Sequence, residues 1–330
     1  MQKTNDVIAL GNALMDFLIR IDEEKFVEMN LNKGEMHLVD EQQTKVLLKK
    51  IKEQKLSVEY VPGGSAANTM RGLALLGAKV MLVGKVGQDH HGEMYLEQMQ
   101  KQGVISKLNK HQKPTGHAVT FITPDSERTF SVHLGAAVEL VKEDIVEEDI
   151  AKSRILYIEG YQLEGKTRES ILHAIAIARK HGTIIAMDLA DPGVVRRNKD
   201  FLKDLIEKNV DIVFANENEA KELTGLDKHQ AAISLGKSIP IAIVKLGQQG
   251  SLIYADGSLI EVPPFPANAI DTTGAGDIYA AGFLYGYCQG WELKKAGKLG
   301  SLLAAKVVER HGVKLFKEEL GAVRYFLEDS

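Results

Sequence analysis

The sequence predicts an α/β fold in which a central, mostly parallel sheet lies between two helical layers, with a small second sheet projecting as a lid. Three observations predict it. Apolar runs alternate with amphipathic helical segments along most of the chain, the order that buries a parallel sheet under helices. Those runs lack polar/apolar alternation and are rich in Val and Ile, as strands covered on both faces should be. A further set of short, partly alternating runs is interleaved among the first units and has no block of its own.

The long strands are expected at VIALG from Val7, KVMLVG from Lys79, RILYIEG from Arg154, TIIAMDL from Thr183, DIVFAN from Asp211 and IAIVKLG from Ile241. A helix such as DHHGEMYLEQMQKQG separates them, with glycine just past its end as a C-terminal cap. The lid strands are expected at about 15–21, 35–39, 57–61 and within 115–134. The last segment holds HAVTFIT and RTFSVHL, joined by Pro124, Asp125, Ser126 and Glu127, a turn of hairpin length. No linker, repeat or charge block divides the chain, so residues 1–330 are read as one domain carrying a discontinuous lid.

Composition narrows the function classes. The 330 residues suggest about two domains by length, and 44% hydrophobic content supplies a sizeable core. Lys plus Arg (41) nearly balances Asp plus Glu (45), which removes the footprint of a general nucleic-acid binder. The single cysteine, Cys288, excludes an intramolecular disulfide framework and fits a reducing, cytoplasmic setting. No apolar run is long enough to span a membrane, and Asn12 and Asp16 interrupt the stretch that a signal peptide would need. The skew is 30 glycines against 8 prolines, so glycine must serve particular turns and close approaches.

Five glycine-bearing clusters follow. In PGGSAANT, Gly63 and Gly64 end a strand, Ser65 caps a helix, and Asn68 offers a donor and an acceptor suited to sugar hydroxyls. Taken alone, that segment is more simply explained by tight helix–strand packing with a solvated Asn68. In GKVGQDHHG, Gly84 and Gly87 shape a turn and Asp89 caps the following helix. DTTGAGD carries more chemistry. Gly274, Ala275 and Gly276 present consecutive amides at a helix N-terminus, where the macrodipole adds about half a positive charge. Asp277 beside such an anion hole is a costly pairing unless it takes a proton from an attacking hydroxyl; a plain helix cap would not require glycines on both sides of an alanine.

NENEAKELTG places Asn216 and Glu219 three apart at a helix start, where hard oxygens can hold Mg²⁺ waters or form a capping box. In KLGQQG, Gly247 and Gly250 bracket a loop able to lie along phosphates, or a plain connection, and Asp256–Gly257 marks a hairpin beyond it.

One motif competes. Gly160, Gly165, Lys166 and Thr167 satisfy the P-loop pattern between a strand and a helix, with Asp188 ending a downstream strand. Against it, Tyr161, Gln162, Leu163 and Glu164 are bulky where backbone must wrap phosphate. Glu164 also adds a like-charge cost of roughly 1–4 kcal/mol. The reading leaves GGSAANT and DTTGAGD unexplained, and Lys166 becomes a solvated helix-start lysine.

Taken in order, PGGSAANT, NENE, KLGQQG and DTTGAGD resemble the ribokinase-like (PfkB-type) carbohydrate kinase family over essentially the whole chain. The resemblance implies a three-layer α/β fold with a protruding β-sheet lid, and ATP- and Mg²⁺-dependent phosphoryl transfer to a sugar hydroxyl. It leaves room for a monovalent cation such as K⁺. By match of motifs, Asp277 looks like the catalytic base and the amides of Gly274, Ala275 and Gly276 like the anion hole. Asn216 and Glu219 look like the support for Mg²⁺ through water and for phosphates. Gly247, Gly250 and Thr272 fall at the nucleotide, with Lys245 at a position often held by threonine. Gly63, Gly64 and Asn68 look like sugar ligands.

Near the N-terminus GNALMD, together with YIEGY and DLADPGVV, resembles the adenosine kinase branch, which sets Asn12 and Asp16 against ribose hydroxyls. Asp16 can accept two hydrogen bonds from a cis-diol. With aromatics at only 6%, cover for a base is thin, and Met36, Phe121 and Tyr161 are the candidates. Arg128 could meet a polar or anionic sugar but is read as a surface strand residue. The expected substrate is a nucleoside such as adenosine, then a free sugar of ribose or fructose type. The alternative of another class is a non-catalytic sugar- or nucleotide-binding regulator. The expected assembly is a monomer or homodimer with no nucleic-acid or membrane partner.

Overall fold

The computed structural model describes residues 2–125 and 127–314. Ser126, assigned to the hairpin turn, therefore lies outside the described residues. Within them the strands run β1 (Asn5–Leu10), β2 (Leu14–Arg20), β3 (Met36–Leu38), β4 (Glu59–Gly63), β5 (Val80–Gly87), β6 (Ile105–His111) and β7 (Gly116–Ile122). They continue as β8 (Arg128–His133), β9 (Ser153–Glu159), β10 (Ile184–Asp188), β11 (Ile212–Asn216), β12 (Ile241–Lys245), β13 (Ser251–Ala255) and β14 (Ser258–Val262).

Nine strands form the large sheet in the order β14-β13-β12-β11-β10-β9-β1-β5-β6. All neighbours are parallel except β13, which is antiparallel to both β12 and β14. The unbroken apolar runs have their expected cause. Val7 and Ala9 of β1 enter one core with Tyr157, Phe214 and Ile243, while Ile8 and Leu10 enter another with Leu156, Val213 and Val244. Both faces are covered, so the sheet is the middle of three layers. No helix among the described residues is long and apolar enough to cross a membrane.

Strand β6 has no counterpart among the predicted strands. Its sequence ISKLNKH is mostly exposed and lysine-bearing because it is the sheet edge, where charge discourages further pairing. Gly84 and Gly87 do not shape a turn as expected; both lie within β5, where the Gly11 carbonyl crosses Gly84 too closely for a side chain. Asp89 does cap the next helix, accepting from the Gly92 amide at 2.8 Å.

The small sheet has the order β3-β8-β7-β2-β4. β4 lies two residues later than the pattern predicts and so takes Gly63 into the strand. Phe121, expected near the ligand, instead points into the core, fully buried and edge-on to Phe26. Met36, on edge strand β3, is exposed.

Candidate functional site

The strand order brings together residues that are far apart in sequence. Adjacent strands β9, β10, β11 and β12 end in Glu159, Asp188, Asn216 and Lys245, with Asp188 in register with Glu159 and Asn216 with Lys245. Asn12 lies just beyond the end of β1, beside β9. Carboxyl ends of parallel strands open onto a crevice, and this one is a cleft of about 740 Å³. Asn216, Glu219, Lys245, Gly247, Gly250, Thr272 and the turn from Gly274 to Asp277 all line it.

That turn is shaped by glycine. Gly274 caps the helix Ala275–Cys288 in a left-handed conformation (φ +73°), and a side chain on it would strike Val313. The helix therefore begins at Ala275, leaving Asp277 in its first turn. Of the three candidate amides, that of Ala275 donates to the Thr272 carbonyl at 3.2 Å. Those of Gly274 and Gly276 make no hydrogen bond among the described residues.

Asp277 is held from a second helix, Ser65–Leu75. The Ser65 hydroxyl donates to Oδ1 at 2.8 Å and the Asn68 amide donates to Oδ2 at 3.0 Å. Ser65 is thus not the helix cap; Gly64 takes that position and frees the hydroxyl. Burial, the largest influence, pushes the Asp277 carboxyl up to about 6, against the two hydrogen bonds that favour its charge. Within electrostatic reach of it is Glu159, which belongs to none of the glycine clusters. It accepts from the Ala66 amide at 2.8 Å, and burial pushes it up to about 8. The signal available was a lone acid ending an otherwise apolar strand.

At the other wall, Asn216 and Glu219 form a reciprocal capping box. The Glu219 amide donates to Asn216 Oδ1 at 2.9 Å, and the Asn216 amide donates to Glu219 Oε2 at 2.7 Å. Burial, then the neighbouring Asp188, pushes Glu219 up to about 7. Lys245 Nζ lies 2.6 Å from Asp188 Oδ2 and reaches the helix start, where a Cβ on Gly276 would approach it to 3.0 Å. No group of three or more His, Cys, Asp or Glu among the described residues is arranged to hold a metal ion. With Glu219 engaged by Asn216 and Asp188 by Lys245, these residues fit a divalent ion through its waters rather than as a direct cage.

The other candidates gather behind Asp277 instead of lining the cleft. Gly64 (φ +94°) lies so close to Asn12 that a Cβ would sit 2.1 Å from its carbonyl oxygen, and Gly63 backs onto the Asp16 carboxylate. Asn12 Oδ1 is buried and lacks a hydrogen-bond partner among the described residues. Burial raises Asp16 to about 7, opposed by Arg71 and Arg128. Tyr161 lines the cleft, half-exposed, with its hydroxyl 3.4 Å from the Ala190 carbonyl.

One expectation changes here, and the rejection of the competing motif holds. Arg128 is not a surface strand residue: it forms an ion pair with Asp271, and both side chains are largely buried. The P-loop pattern does not build a phosphate cradle. Lys166 is solvated and its nearest acid is Glu139 at 3.8 Å, the Thr167 hydroxyl donates to the Gln162 carbonyl, and Gly160 packs on Leu189.

The geometry has counterparts in known proteins. A family model described as pfkB family carbohydrate kinase matches residues 34–319. A 5-dehydro-2-deoxygluconokinase of Clostridium perfringens is 30% identical, over 81% of this chain and 83% of its own. One from Geobacillus kaustophilus is 27% identical over 99% and 95%. The crystal structure of adenosine kinase from Sinorhizobium meliloti superposes with a TM-score of 0.87 at 34% identity, covering 97% of this chain and 99% of that one.

Proposed function

The chain belongs to the pfkB family of carbohydrate kinases, and from that premise we propose that it moves the γ-phosphoryl group of Mg·ATP to a hydroxyl of a ribose-containing nucleoside or small sugar. The observation that carries this is the placement of Asp277. Its carboxylate closes the 740 Å³ cleft on one side and touches Asn68, of the polar cluster with Asn12 and Asp16, on the other. A proton acceptor at that junction can reach both an acceptor hydroxyl and the phosphorus it attacks.

The roles then follow from chemistry. Asp277 takes the hydroxyl proton as the new bond to phosphorus forms. The amides of Gly274, Ala275 and Gly276, at the positive end of a helix, receive the charge on the transferred group. Lys245, Gly247, Gly250 and Thr272 hold the nucleotide. Asn216 and Glu219 hold Mg²⁺ through water, and the ion neutralises phosphate charge when bound. Asn12, Asp16, Gly63, Gly64 and Asn68 receive the sugar, and the small sheet acts as a lid that keeps water from competing.

A nucleoside of adenosine type is the leading acceptor, supported by the likeness to an adenosine kinase structure and by the buried Asp16, whose two carboxylate oxygens suit a cis-diol. A free sugar or sugar acid is the second reading, supported by relatives named 5-dehydro-2-deoxygluconokinase. An ADP-release screen with Mg·ATP against nucleosides, pentoses, hexoses and 5-dehydro-2-deoxygluconate separates them. Tight ligand binding without ADP release from any acceptor would sink the kinase reading in favour of a regulator.

A further inference from the structure

Arg71 is the one charged residue of the helix Ser65–Leu75, one turn beyond Asn68 and on the same face. Its guanidinium is committed on every side. Nη1 donates to the Pro62 carbonyl at 2.7 Å and to Asn68 Oδ1 at 3.1 Å, Nη2 donates to the Val313 carbonyl at 3.0 Å, and Nε donates to Gln102. On its far side, Asn68 donates to Asp277.

We infer that Arg71 is a positioning residue for the proton acceptor, acting through the carboxamide of Asn68. A carboxamide has an accepting end and a donating end of nearly equal size, so shape alone does not orient it. Here a group that can only donate, Arg71, faces one end, and a group that only accepts when ionised, Asp277, faces the other. The amide then has one stable orientation, with nitrogen toward Asp277. That orientation favours the ionised base. Without Arg71 the amide is free to turn its oxygen toward Asp277, and two acceptors in contact favour a protonated carboxyl. Arg71 also opposes the protonation of Asp16, so one guanidinium serves both carboxylates on the acceptor side.

The inference rests on Asp277 as the base, and the test keeps the two apart. Carboxyl ¹³C NMR titration of the full chain labelled at aspartate, with Asp277→Asn used for assignment, reads the base directly and needs no acceptor. In Arg71→Met the Asp277 midpoint should rise by about one pH unit. Arg71→Lys, which keeps the charge but loses the fork, should give a smaller rise. ADP release from Mg·ATP with adenosine should fall about tenfold in kcat, with little change in KM for ATP. A folded Arg71→Met whose midpoint moves by less than about 0.3 unit would overturn the inference while leaving the base intact. Failure of both variants to fold would also overturn it, assigning Arg71 to the fold alone. Full turnover by Asp277→Asn would instead remove the base reading itself.

Discussion

Arg128 of the small sheet holds the carboxylate of Asp271 at 2.5 Å, at the head of the glycine-rich turn that carries Asp277. The same guanidinium donates to the Thr273 hydroxyl at 2.9 Å. One side chain thereby ties the second sheet to the turn that presents the candidate anion hole.

Removing that tie should loosen the turn without unfolding the chain. Asp271 keeps two amide donors, Thr273 at 3.0 Å and Gly312 at 2.7 Å, so it is not left bare. Arg128→Met should destabilise by about 1–3 kcal/mol in urea titration. Hydrogen exchange should accelerate at residues 271–276 more than in the strands of the large sheet.

Asp277→Asn should lower kcat by roughly 10²- to 10⁴-fold while leaving ATP binding largely intact. Lys166→Ala should leave turnover unchanged, because its ammonium is solvated and is not among the residues lining the cleft. Steady-state ADP release and calorimetric ATP binding measure both; the reverse pattern would restore the P-loop reading.

Buried carboxyls also set a pH signature. Glu159 titrates at about 8 in the folded chain against 4.5 ordinarily, so the folded state holds its proton more tightly. The stability this contributes is complete in acid, below the unfolded value, and is lost as pH rises through the folded one. Glu159→Gln cannot ionise, so its urea midpoint should fall less than the parent's between about pH 5 and pH 8. An equal fall in both would refute the assignment. Activity should move oppositely over its own range, rising as pH passes about 6, where Asp277 becomes the carboxylate that can accept a proton.

Gly64→Ala should be severely destabilising, by about 3 kcal/mol or more, since it adds a left-handed strain to a clash with the Asn12 backbone. Thermal unfolding measures it. A variant within about 0.5 kcal/mol of the parent would show that the β1–β2 turn yields freely.

The sequence made the large sheet legible because its strands are buried on both faces and announce themselves as unbroken apolar runs. Edge strand β6 escaped notice for the opposite reason: half of it faces water, and its lysines read as loop. The glycine turns and Asp277 were legible as local motifs, since backbone amides, a helix start and an acid fall within seven residues. What holds Asp277 was not. Ser65 offered itself as a helix cap and Asn68 as a sugar ligand, and nothing local reveals that both reach a carboxylate in the last quarter of the chain. Arg128 was misjudged because strand periodicity says which face a residue occupies but not what lies over that face. Glu159 and Arg71 carried only composition as a clue, a charge within an apolar element, and their partners come from tertiary packing.

Ser65 and Asn68 precede the carboxylate they hold by 212 and 209 residues. During synthesis the donors therefore emerge long before the group they serve. A nascent chain that has reached only β12 already possesses the central parallel strands but lacks Asp277 and the helix that presents it. On the proposed chemistry it has no proton acceptor, so phosphoryl transfer switches on only when helix Ala275–Cys288 docks against helix Ser65–Leu75. On that chemistry, a chain cut short before Asp277 is silent in phosphoryl transfer.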